Sequence, residues 1–400
     1  MRFKLPWSSL NSRARRGLLA HALHWQAVCV GQLYVGVYLF RLSHGYAAPA
    51  WHALCSYATV PLGSALGAAL TRRWGPGASV RAGLFVYAAF QAAILALGDG
   101  AVDWAGSLGL WWGLGVGLYW QGWVLLMMDF STEGSDRDTM MGGNQAASFF
   151  ASLTAAPLAG YFLGRALGTA GYPWAFGLSF IFFAGAAWLT LPLKGTSHPQ
   201  DSALRQLLAG PKPPGWIACM FSSVLMGVMT VGNLFLPMLL AYAVGKDEGL
   251  GGLYAFATAL VGFTGSWAIS RLGHPERRSS FLLGAALAVL VFSLPLALHR
   301  SLALVMLYGV GMALSLALFN VPLFAAHIRI IEGGALFARH RADAMALREG
   351  AIAVGRCGAS AVVLWGVHDL ASTGLTCLLV GVALTPLLNY LVMHRHLNAR

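Results

Sequence analysis

The sequence predicts an all-α polytopic membrane protein, and two observations lead to that class. Of the 400 residues, 58% are hydrophobic and only 10% are charged, whereas a soluble domain carries roughly 25% charged residues. The apolar residues also form continuous blocks of about 20 residues or more, the length that a helix needs to cross the hydrocarbon core. A membrane β-barrel would instead show short segments of alternating hydrophobicity. We therefore expect membrane-spanning helices rather than a soluble domain or a barrel.

Twelve helices are predicted from the apolar blocks between charged residues and turn residues. The first block is longer than the apolar region of a signal peptide, so we expect it to remain in the protein. Numbered 1 to 12 in chain order, the helices have the predicted limits 17–42, 48–70, 79–98, 104–128, 139–165, 173–193, 216–244, 249–271, 279–298, 302–328, 344–367 and 371–393.

Lysine and arginine are distributed unevenly between the two sides of these helices. Of the 26 cations, 21 lie on the side that carries both termini, and the opposite side holds only Arg41, Arg165, Lys246 and Arg300. Because positively charged loops remain in the cytoplasm, we predict cytoplasmic termini and a location in the cytoplasmic (inner) membrane. The cations that set this membrane topology then account for the net charge of +12. We therefore expect no nucleic-acid partner.

The five cysteines all lie inside apolar blocks and form no CxxC pair. Neither a disulfide framework nor a zinc site is indicated by this spacing. The histidines of helix 1 lack the carboxylates or thiolates that a tight transition-metal site would favour. We therefore expect neither a metal nor a cofactor.

The longest gap on the side of the termini divides the predicted helices six from six. It contains four prolines, and proline disfavours the continuation of a helix. We therefore predict an N-terminal six-helix bundle at 1–193, a cytoplasmic linker at 194–215 and a C-terminal six-helix bundle at 216–400.

The two predicted halves repeat each other at an offset close to 200 residues. Residues 30–34 of helix 1 read VGQLY, and residues 231–235 of helix 7 read VGNLF. Four ordered matches at nearly one offset indicate a duplicated six-helix unit. The other three pair Gly67, Arg73 and Gly75 with Gly265, Arg271 and Gly273; Trp120, Gln121 and Glu133 with Phe319, Asn320 and Glu332; and Arg137, Met141 and Gln145 with Arg341, Met345 and Glu349.

This arrangement resembles the major facilitator superfamily of secondary transporters over essentially the whole chain. The resemblance implies two pseudo-symmetric six-helix bundles in a monomer, a central cavity lined mainly by helices 1, 4, 7 and 10, and alternating access by rocking of the bundles. In helix 11 the pair Arg348-Glu349 precedes the pair Gly355-Arg356. This pattern resembles that of a poorly characterised bacterial subgroup.

The family's signature in the loop between helices 2 and 3 matches in part. Arg73 and Gly75 stand at its arginine and glycine, but Arg72 occupies the acidic position, and Ser270 does so in the second half. This departure puts the family's usual lock between that acid and helix 11 in question. The resemblance assigns the conformational lock to Arg73, Glu133, Arg137, Arg271, Glu332 and Arg341.

Each of the four helices that the resemblance places around the cavity carries one amide side chain, namely Gln32, Gln121, Asn233 and Asn320. An amide that faced lipid would leave donors and acceptors unpaired at a cost of a few kcal/mol, so we expect these groups to face protein or water. They form either interhelical hydrogen bonds, worth about 0.6 kcal/mol each, or a ring of substrate-binding groups.

Helix 1 places His21, His24 and Gln32 on one stripe, and helix 4 adds Trp120. A wet stripe that faces the substrate and a polar contact within the protein both fit the histidines. Core packing and a stacking platform both fit Trp120. His24 and Trp120 are therefore candidate substrate contacts.

Helix 11 contains Arg356 deep in its apolar block and Glu349 seven residues earlier on the same face. A charge at mid-bilayer costs at least about 2.5 kcal/mol and normally faces a partner or a cavity. Two interpretations remain open. One is a structural polar network that includes Asn144 or Gln145, and the other is a functional pair in which Arg356 binds an anion and Glu349 takes up a coupling proton.

The sequence therefore predicts a secondary transporter, not an enzyme, that moves a small polar or amphipathic organic solute, with proton-coupled efflux as the favoured direction. A lipid or amphiphile flippase of the same fold is the alternative within this class. His368 and Asp369 are the nearest approach to a catalytic pair, but no nucleophile or nucleotide loop accompanies them. A membrane-embedded transferase is thus disfavoured, and a receptor that moves no solute is the last alternative.

Overall fold

The computed structural model describes residues 11–130, 135–166, 168–193, 195, 202–272 and 278–397. Within these ranges the chain forms twelve long helices, which we number in chain order. Two of them contain a π-helical turn: α1 consists of Ser12–Ala27, the turn Val28–Gln32 and Leu33–Ser43, and α7 consists of Trp216–Thr230, the turn Val231–Phe235 and Leu236–Gly245. The others are α2 (Ala47–Trp74), α3 (Pro76–Leu97), α4 (Ala105–Phe130), α5 (Ser135–Arg165), α6 (Tyr172–Leu189), α8 (Glu248–Leu272), α9 (Arg278–Leu298), α10 (Leu302–Glu332), α11 (Arg341–Gly366) and α12 (Thr373–Leu397).

Each predicted helix corresponds to one of these twelve, and their ends differ by at most five residues. The largest difference is at the start of α1, which begins at Ser12 instead of residue 17. Asn11 caps this start, because its Oδ1 accepts a hydrogen bond from the backbone N–H of Ala14 at 2.8 Å. Hydropathy marks the part of a helix that suits the membrane, whereas the backbone hydrogen bonds continue into the charged residues beyond it.

Eight of the helices in the described part of the chain are long and apolar enough to span a membrane, namely α2, α3, α5, α6, α7, α9, α10 and α12. The other four, α1, α4, α8 and α11, are interrupted by glycine, amide, histidine or charged residues that lower their mean hydropathy. The predicted all-α polytopic membrane fold is confirmed.

The first six helices and the last six pack by the same scheme, and we call them the N half and the C half. In the N half, α4 packs against α2 and α3, and α6 packs against α1 and α3. In the C half, α10 packs against α8 and α9, and α12 packs against α7 and α9. The two halves meet mainly where α5 contacts α8 and where α2 contacts α11. Each of these two contacts is the symmetry mate of the other, since α8 repeats α2 and α11 repeats α5.

The two ends of the bundle differ in what they carry. The terminal side is the end at which α1 begins and α12 ends, and the opposite side is the other end. At the terminal side Gly75 joins α2 to α3 with a φ of 82°, a left-handed conformation that favours glycine. Pro76 then starts α3 at a position where no backbone N–H is needed.

Part of the predicted linker 194–215 packs on the C half. Residues 204–209 form the short helix Leu204–Ala209, and the side chain of Leu207 is fully buried in the core of the C half. The backbone N–H of Ala203 donates to Asp343 Oδ2 of α11 at 2.8 Å. Residues 194 and 196–201 lie outside the described residues.

Candidate functional site

The π-helical turns of α1 (Val28–Gln32) and α7 (Val231–Phe235) overlap the repeated segments VGQLY and VGNLF of the two halves. A Cβ added to Gly31 would lie 2.6 Å from the side chain of Ser179 on α6, and one added to Gly232 would lie 2.7 Å from Val382 on α12. Glycine is therefore required for the close approach of these helices. π-Turns occur frequently at functional sites. The region around each of the two turns is therefore a candidate functional region of its half.

Three of the four predicted amides are half-buried. Gln32 and Asn233 are part of the two π-turns, and Asn320 lies in the middle part of α10. The Oε1 atom of Gln32 is buried and has no hydrogen-bond partner among the described residues. A buried amide oxygen without a partner can accept a hydrogen bond from water or a solute.

The fourth amide, Gln121, makes a contact between the two halves. Its side chain is buried, and its Nε2 donates to the backbone oxygen of Ala342 at 3.0 Å. Ala342 belongs to the first turn of α11, so Gln121 bridges the two halves at the terminal side. Gln121 therefore makes an interhelical hydrogen bond, which is one of the two interpretations of these amides. Helical spacing along α4 alone does not reveal which neighbour an amide reaches.

The C half contains a buried polar network at the level of the first turns of α11. Arg348 Nε donates to His327 Nδ1 at 3.0 Å, and His327 Nε2 lies 3.0 Å from Ser222 Oγ. Because arginine can only donate, Nδ1 is the acceptor and the proton of a neutral His327 is on Nε2. The Ser222 hydroxyl in turn donates to Asn389 Oδ1 at 2.6 Å. The network thus connects α11, α10, α7 and α12 by bonds of one fixed direction.

Glu349 lies between two arginines of the same helix. Its carboxylate oxygens are 3.6 Å from Arg348 Nη1 and 3.5 Å from Arg356 Nη1. The guanidinium of Arg356 also lies 5.6 Å from the ring centre of Tyr57, a residue of α2 in the N half. The charged end of the network therefore reaches the boundary between the halves. We call the six residues Ser222, His327, Arg348, Glu349, Arg356 and Asn389 the C-half network.

The sequence indicated Glu349 and Arg356 but missed the rest of this network. Arg348 was counted among the cations of the terminal side, whereas its side chain is buried and only 6% exposed. A signal was present, because His327 is a histidine within an apolar block, and such residues normally have a polar partner. Asn144, one of the two N-half partners considered for Glu349, instead accepts a hydrogen bond from Trp123 Nε1 at 2.7 Å. The side chain of Gln145, the other, lies outside the described residues.

The N half buries its two predicted histidines among aromatic rings. The ring of His21 stacks on Trp123 with 4.3 Å between the ring centres, and that of His24 stacks on Tyr119 at 4.0 Å. Trp25 Nε1 donates to His21 Nε2 at 2.9 Å, and His21 Nδ1 lies 2.6 Å from the Tyr119 hydroxyl. The rings of α4 thus exclude water from both imidazoles, and His21 makes polar contacts within the protein, which is one of the two interpretations of these histidines.

Both ring nitrogens of His24 lack a hydrogen-bond partner among the described residues. Trp120 lies half-buried at the edge of this group and makes an edge contact with Trp25 at 6.2 Å. The N half therefore surrounds its buried histidines with aromatic rings, whereas the C half places charged side chains near its buried His327. We call the six residues His21, His24, Trp25, Tyr119, Trp120 and Trp123 the N-half ring cluster.

The halves are joined by ion pairs at the terminal side. Arg72 Nη1 of α2 is 2.6 Å from Asp343 Oδ1 of α11, and Arg341 Nη2 of α11 is 3.6 Å from Asp129 Oδ1 of α4. Asp343 is buried and also accepts the Ala203 backbone N–H. A charge pair between α2 and α11 is thus present with the acid on α11 and the arginine on α2, the reverse of the family's signature.

The predicted lock residues are distributed around this contact. Arg341 makes the ion pair with Asp129. Arg73 is exposed and lies over the ring of Trp74 at 4.9 Å, and Glu332 is exposed at the end of α10. Glu133 and the side chains of Arg137 and Arg271 lie outside the described residues.

The opposite side has its own contact between the halves. Glu248 at the start of α8 forms an ion pair with Arg41 of α1 and accepts a hydrogen bond from the Tyr172 hydroxyl of α6 at 3.0 Å. Below it, α5 and α8 cross at Gly160 and Gly252, where an added Cβ on Gly160 would lie 2.9 Å from the Gly252 Cα. The described residues therefore bridge the halves at both ends of the bundle.

His368 and Asp369 belong to the exposed turn between α11 and α12. The Asp369 carboxylate accepts hydrogen bonds from the Ser372 hydroxyl at 2.9 Å and from the Ala371 backbone N–H at 2.8 Å. These bonds, that of Ser372 foremost, lower the pKa of the Asp369 carboxyl. The Asp369 carboxylate thus stabilises this turn through its Oδ1 atom.

Comparison with known proteins relates both the sequence and the fold to transporters. A family model described as Major Facilitator Superfamily matches residues 47–360. The uncharacterized protein YqgE of Bacillus subtilis (strain 168) is 25% identical over 341 residues, which cover 84% of this chain and 78% of that protein.

Solved structures of transporters have the same fold. A D-xylose-proton symporter superposes with a TM-score of 0.69 at 14% identity, covering 95% of this chain and 96% of that chain. The nucleoside transporter NupG gives a TM-score of 0.65 at 13% identity, covering 96% and 99%. The inward-open xylose transporter XylE from E. coli gives 0.68 at 15% identity, covering 96% and 95%. At these identities the likeness concerns the fold alone.

Proposed function

Because the chain belongs to the Major Facilitator Superfamily, we propose that it is a secondary transporter that moves a small polar or amphipathic organic solute across the cytoplasmic membrane by alternating access. One observation carries the proposal: the partly buried pair of Glu349 and Arg356 lies at the boundary between two pseudo-symmetric halves that are bridged at both ends, where Arg356 contacts Tyr57 of the N half. A solute site between two related bundles, opened to each side in turn, is how such folds move their substrates.

The proposed solute contacts come from both halves. Gln32, Asn233 and Asn320 supply neutral hydrogen-bonding groups, Arg356 supplies a charged donor, and Trp120 supplies a ring face. His24, enclosed by rings, acts by positioning Trp25 and Trp120. Gln121 meets the solute when the terminal side opens, because its Nε2 is bound to Ala342 in the present state.

Alternating access then requires the contacts at the two sides to break in turn. Opening of the terminal side separates Arg72 from Asp343 and Asp129 from Arg341. Opening of the opposite side separates Arg41 from Glu248. Each pair joins a residue of the N half to one of the C half, so that rocking of the halves changes all three distances.

We further propose proton-coupled efflux with Glu349 as the coupling group. The carboxylate is 23% exposed and lies between two arginines inside a helix bundle, where ionisable groups commonly form proton pathways. Glu349→Gln keeps the size and the hydrogen-bonding capacity and removes the titratable group. Transport driven by a proton gradient should be lost while exchange of solute across proteoliposomes persists. Unchanged gradient-driven transport would remove Glu349 from this role.

The transport function itself is tested by solute counterflow in proteoliposomes with the purified protein. Radiolabelled polar solutes are screened, and the solute that accumulates is then measured with Asn233→Ala and Asn320→Ala. We expect each variant to reduce counterflow at least tenfold. Gln206→Ala, an exposed amide on the short helix Leu204–Ala209, is the matched control and should leave it unchanged. Counterflow of no solute, or equal rates in all variants, contradicts the proposal.

A flippase for amphiphiles is the second candidate, and one feature favours it. Between α5 and α8 an apolar concavity of about 370 Å³ opens at the outer surface of the bundle, with Pro157, Tyr161 and Leu253 among its lining residues. Such a groove could admit an acyl chain from the bilayer. Reconstitution with fluorescent short-chain phospholipids and dithionite quenching measures lipid movement directly. Rapid flipping without movement of any polar solute would select this candidate.

A further inference from the structure

We infer that the transported solute is an organic acid with one net negative charge, and that its carboxylate displaces Glu349 from Arg356 when it binds. The inference rests on the proposed function and names the substrate class of that same site. It depends on the difference between the two arginines of α11 and on the charge balance around them.

Arg348 is held on several sides. Its Nε donates to His327 Nδ1 at 3.0 Å, its Nη2 lies 3.6 Å from the sulfur of Met226, and its guanidinium faces the ring of Phe324 at 5.5 Å. Its side chain is only 6% exposed. A guanidinium with these partners has a fixed position and cannot turn to a ligand without breaking the C-half network.

Arg356 is held loosely. Its contacts among the described residues are one carboxylate oxygen of Glu349 at 3.5 Å and the face of Tyr57 at 5.6 Å. Good charge-assisted bonds between guanidinium and carboxylate are about 2.7–2.9 Å long, so that the contact with Glu349 is weak. The Nε atom is buried without a partner, and the side chain is 16% exposed. Of its five N–H donors, most therefore remain available.

The charges around Glu349 do not balance. Arginine is always protonated in proteins, so Arg348 and Arg356 bring two positive charges to one carboxylate. His327 is neutral, because its Nδ1 accepts from Arg348. Among the described residues, the other neighbours of the cluster, such as Ser222, Asn389 and Tyr57, carry no charge. Within this part of the chain one positive charge is thus uncompensated inside the helix bundle, where unpaired charge is costly.

An added carboxylate compensates that charge. It can take two parallel N–H donors of Arg356, a geometry that arginine offers and lysine does not. Glu349 then retains Arg348, so that each arginine has one carboxylate. A neutral solute leaves the excess charge in place, and a phosphate monoester brings about −1.5 to −2 charges. The balance therefore selects a monocarboxylate. Because Tyr57 belongs to the N half and Arg356 to the C half, this solute is bound between the halves.

The test uses acids and their neutral amides of equal shape: benzoate and benzamide, phenylacetate and phenylacetamide, nicotinate and nicotinamide, lactate and lactamide. Thermal unfolding of the purified full-length protein in detergent is measured with each compound, because a ligand of the native state raises the unfolding temperature. We expect at least one acid to raise it and its amide to leave it unchanged. The dissociation constant of that acid is then measured by calorimetry.

Three variants separate the anion site from general effects of charge. Arg356→Gln should weaken binding of the acid at least tenfold, and Arg356→Lys, which keeps the charge, should weaken it less. Glu349→Gln should tighten binding severalfold, because the competing carboxylate is removed. Arg165→Gln removes an arginine that lies over Tyr161 at the end of α5 and should leave binding unchanged. The unfolding temperature without ligand reports whether each variant is folded.

The inference is overturned if no acid of the panel stabilises the protein, if the amides do so equally, or if Glu349→Gln weakens binding. It is also overturned if Arg356→Gln and Arg165→Gln bind the acid equally well. A neutral amide that binds and undergoes counterflow would leave the proposed transport standing while the anionic class fails. An acid that binds at Arg356 but crosses no proteoliposome would leave the site standing while the transport function fails.

Discussion

The N half buries two histidines of α1 among the tryptophan and tyrosine rings of α4, whereas the C half buries one histidine of α10 beside two arginines and a glutamate of α11. At an offset of 204 residues, Arg348, Glu349 and Arg356 correspond to Asn144, Gln145 and Ser152 of α5. The duplicated helices therefore pack alike, but at these three positions only the C half carries charged side chains. A shared helix scheme fixes where side chains converge, and the identity of those side chains then assigns aromatic surface to one half and ionic chemistry to the other.

The two halves differ most at Arg348, a buried charge whose counterpart in the N half is the neutral Asn144. We therefore expect the largest effect of a substitution on the free energy of unfolding at Arg348. Replacing it by methionine keeps the length of the side chain, but His327 Nδ1 loses its donor and Glu349 loses one cation. A hydrogen bond to a charged group is worth about 1.5–3 kcal/mol, and we expect a loss of about 3 kcal/mol in the free energy of unfolding.

Asn144→Ala tests the corresponding position of the N half. It removes the acceptor of the Trp123 indole, and a lost neutral hydrogen bond within a membrane bundle costs about 1 kcal/mol. Unfolding in bicelles, followed by circular dichroism, compares both variants with the wild type. Equal losses in the two halves would contradict the assignment of the fixed charge to the C half.

The same substitution of a histidine should have opposite effects in the two halves. His327→Phe removes the acceptor of the Arg348 Nε–H and the imidazole nitrogen beside the Ser222 hydroxyl, and an unsatisfied buried group costs about 1–3 kcal/mol. His24→Phe replaces an imidazole whose two nitrogens are unpartnered by a ring that suits its aromatic neighbours. We expect a loss of about 2 kcal/mol for the first and an unchanged or higher free energy of unfolding for the second. Thermal unfolding of both purified variants decides the sign.

At the contact between the halves, we predict that the charges of the Arg72–Asp343 pair can be swapped between the two residues. Arg72→Asp places two acids at the terminal contact and should favour the state that is open at this side. A change of about 1.4 kcal/mol corresponds to a tenfold shift of the equilibrium. Arg72→Asp combined with Asp343→Arg restores opposite charges and should reverse most of that shift.

The shift is measured as a distance between spin labels on the two halves. Arg73→Cys and Arg339→Cys, both exposed at the terminal side, carry the labels in a cysteine-free background. Equal distance distributions in the single and the double charge variants would exclude the Arg72–Asp343 pair from the control of this side.

The smallest effect is expected on the pH dependence of the unfolding temperature, and it concerns the turns after α5 and α11 at the opposite side. The turn after α5 contains Gly168 with a φ of 60°, whereas the turn after α11 is fixed by the Asp369 carboxylate. The pKa of this carboxyl is lowered by its bond to Ser372, so its ionised form stabilises the folded state above the unfolded pKa. That contribution is lost as the pH falls through the folded pKa. Asp369→Asn should therefore show a smaller decrease in unfolding temperature than the wild type between about pH 6 and about pH 3. Parallel decreases would contradict it.

The sequence predicted the helices well because hydropathy and backbone hydrogen bonding have nearly the same limits in a membrane helix. It predicted Glu349 and Arg356 because charges deep in an apolar block are rare and identifiable one by one. Arg348 was counted among the cations of the terminal side, since it lies near the start of predicted helix 11. Its burial depends on His327, which lies 21 residues earlier in the chain on another helix.

The cross-half contacts show the same division. Arg72 was recognised as a departure from the family's signature, but its partner Asp343 lies 271 residues away, and no local pattern pairs the two. The partnership of Arg41 with Glu248 at the opposite side was not predicted for the same reason. A charged residue near a helix end is as compatible with water as with a partner, and only the approach of α2 to α11 and of α1 to α8 decides between them.

The amino-acid sequence by itself determined the number of helices, their duplication and the membrane environment, because each of these depends on the transfer of apolar residues out of water and on a repeat within the chain. The tertiary structure decided which polar groups pair, which arginine keeps a buried donor without a partner and where the halves are joined. Those properties depend on distances of a few ångströms between side chains that are far apart in sequence, and such distances exist only once the helices are packed.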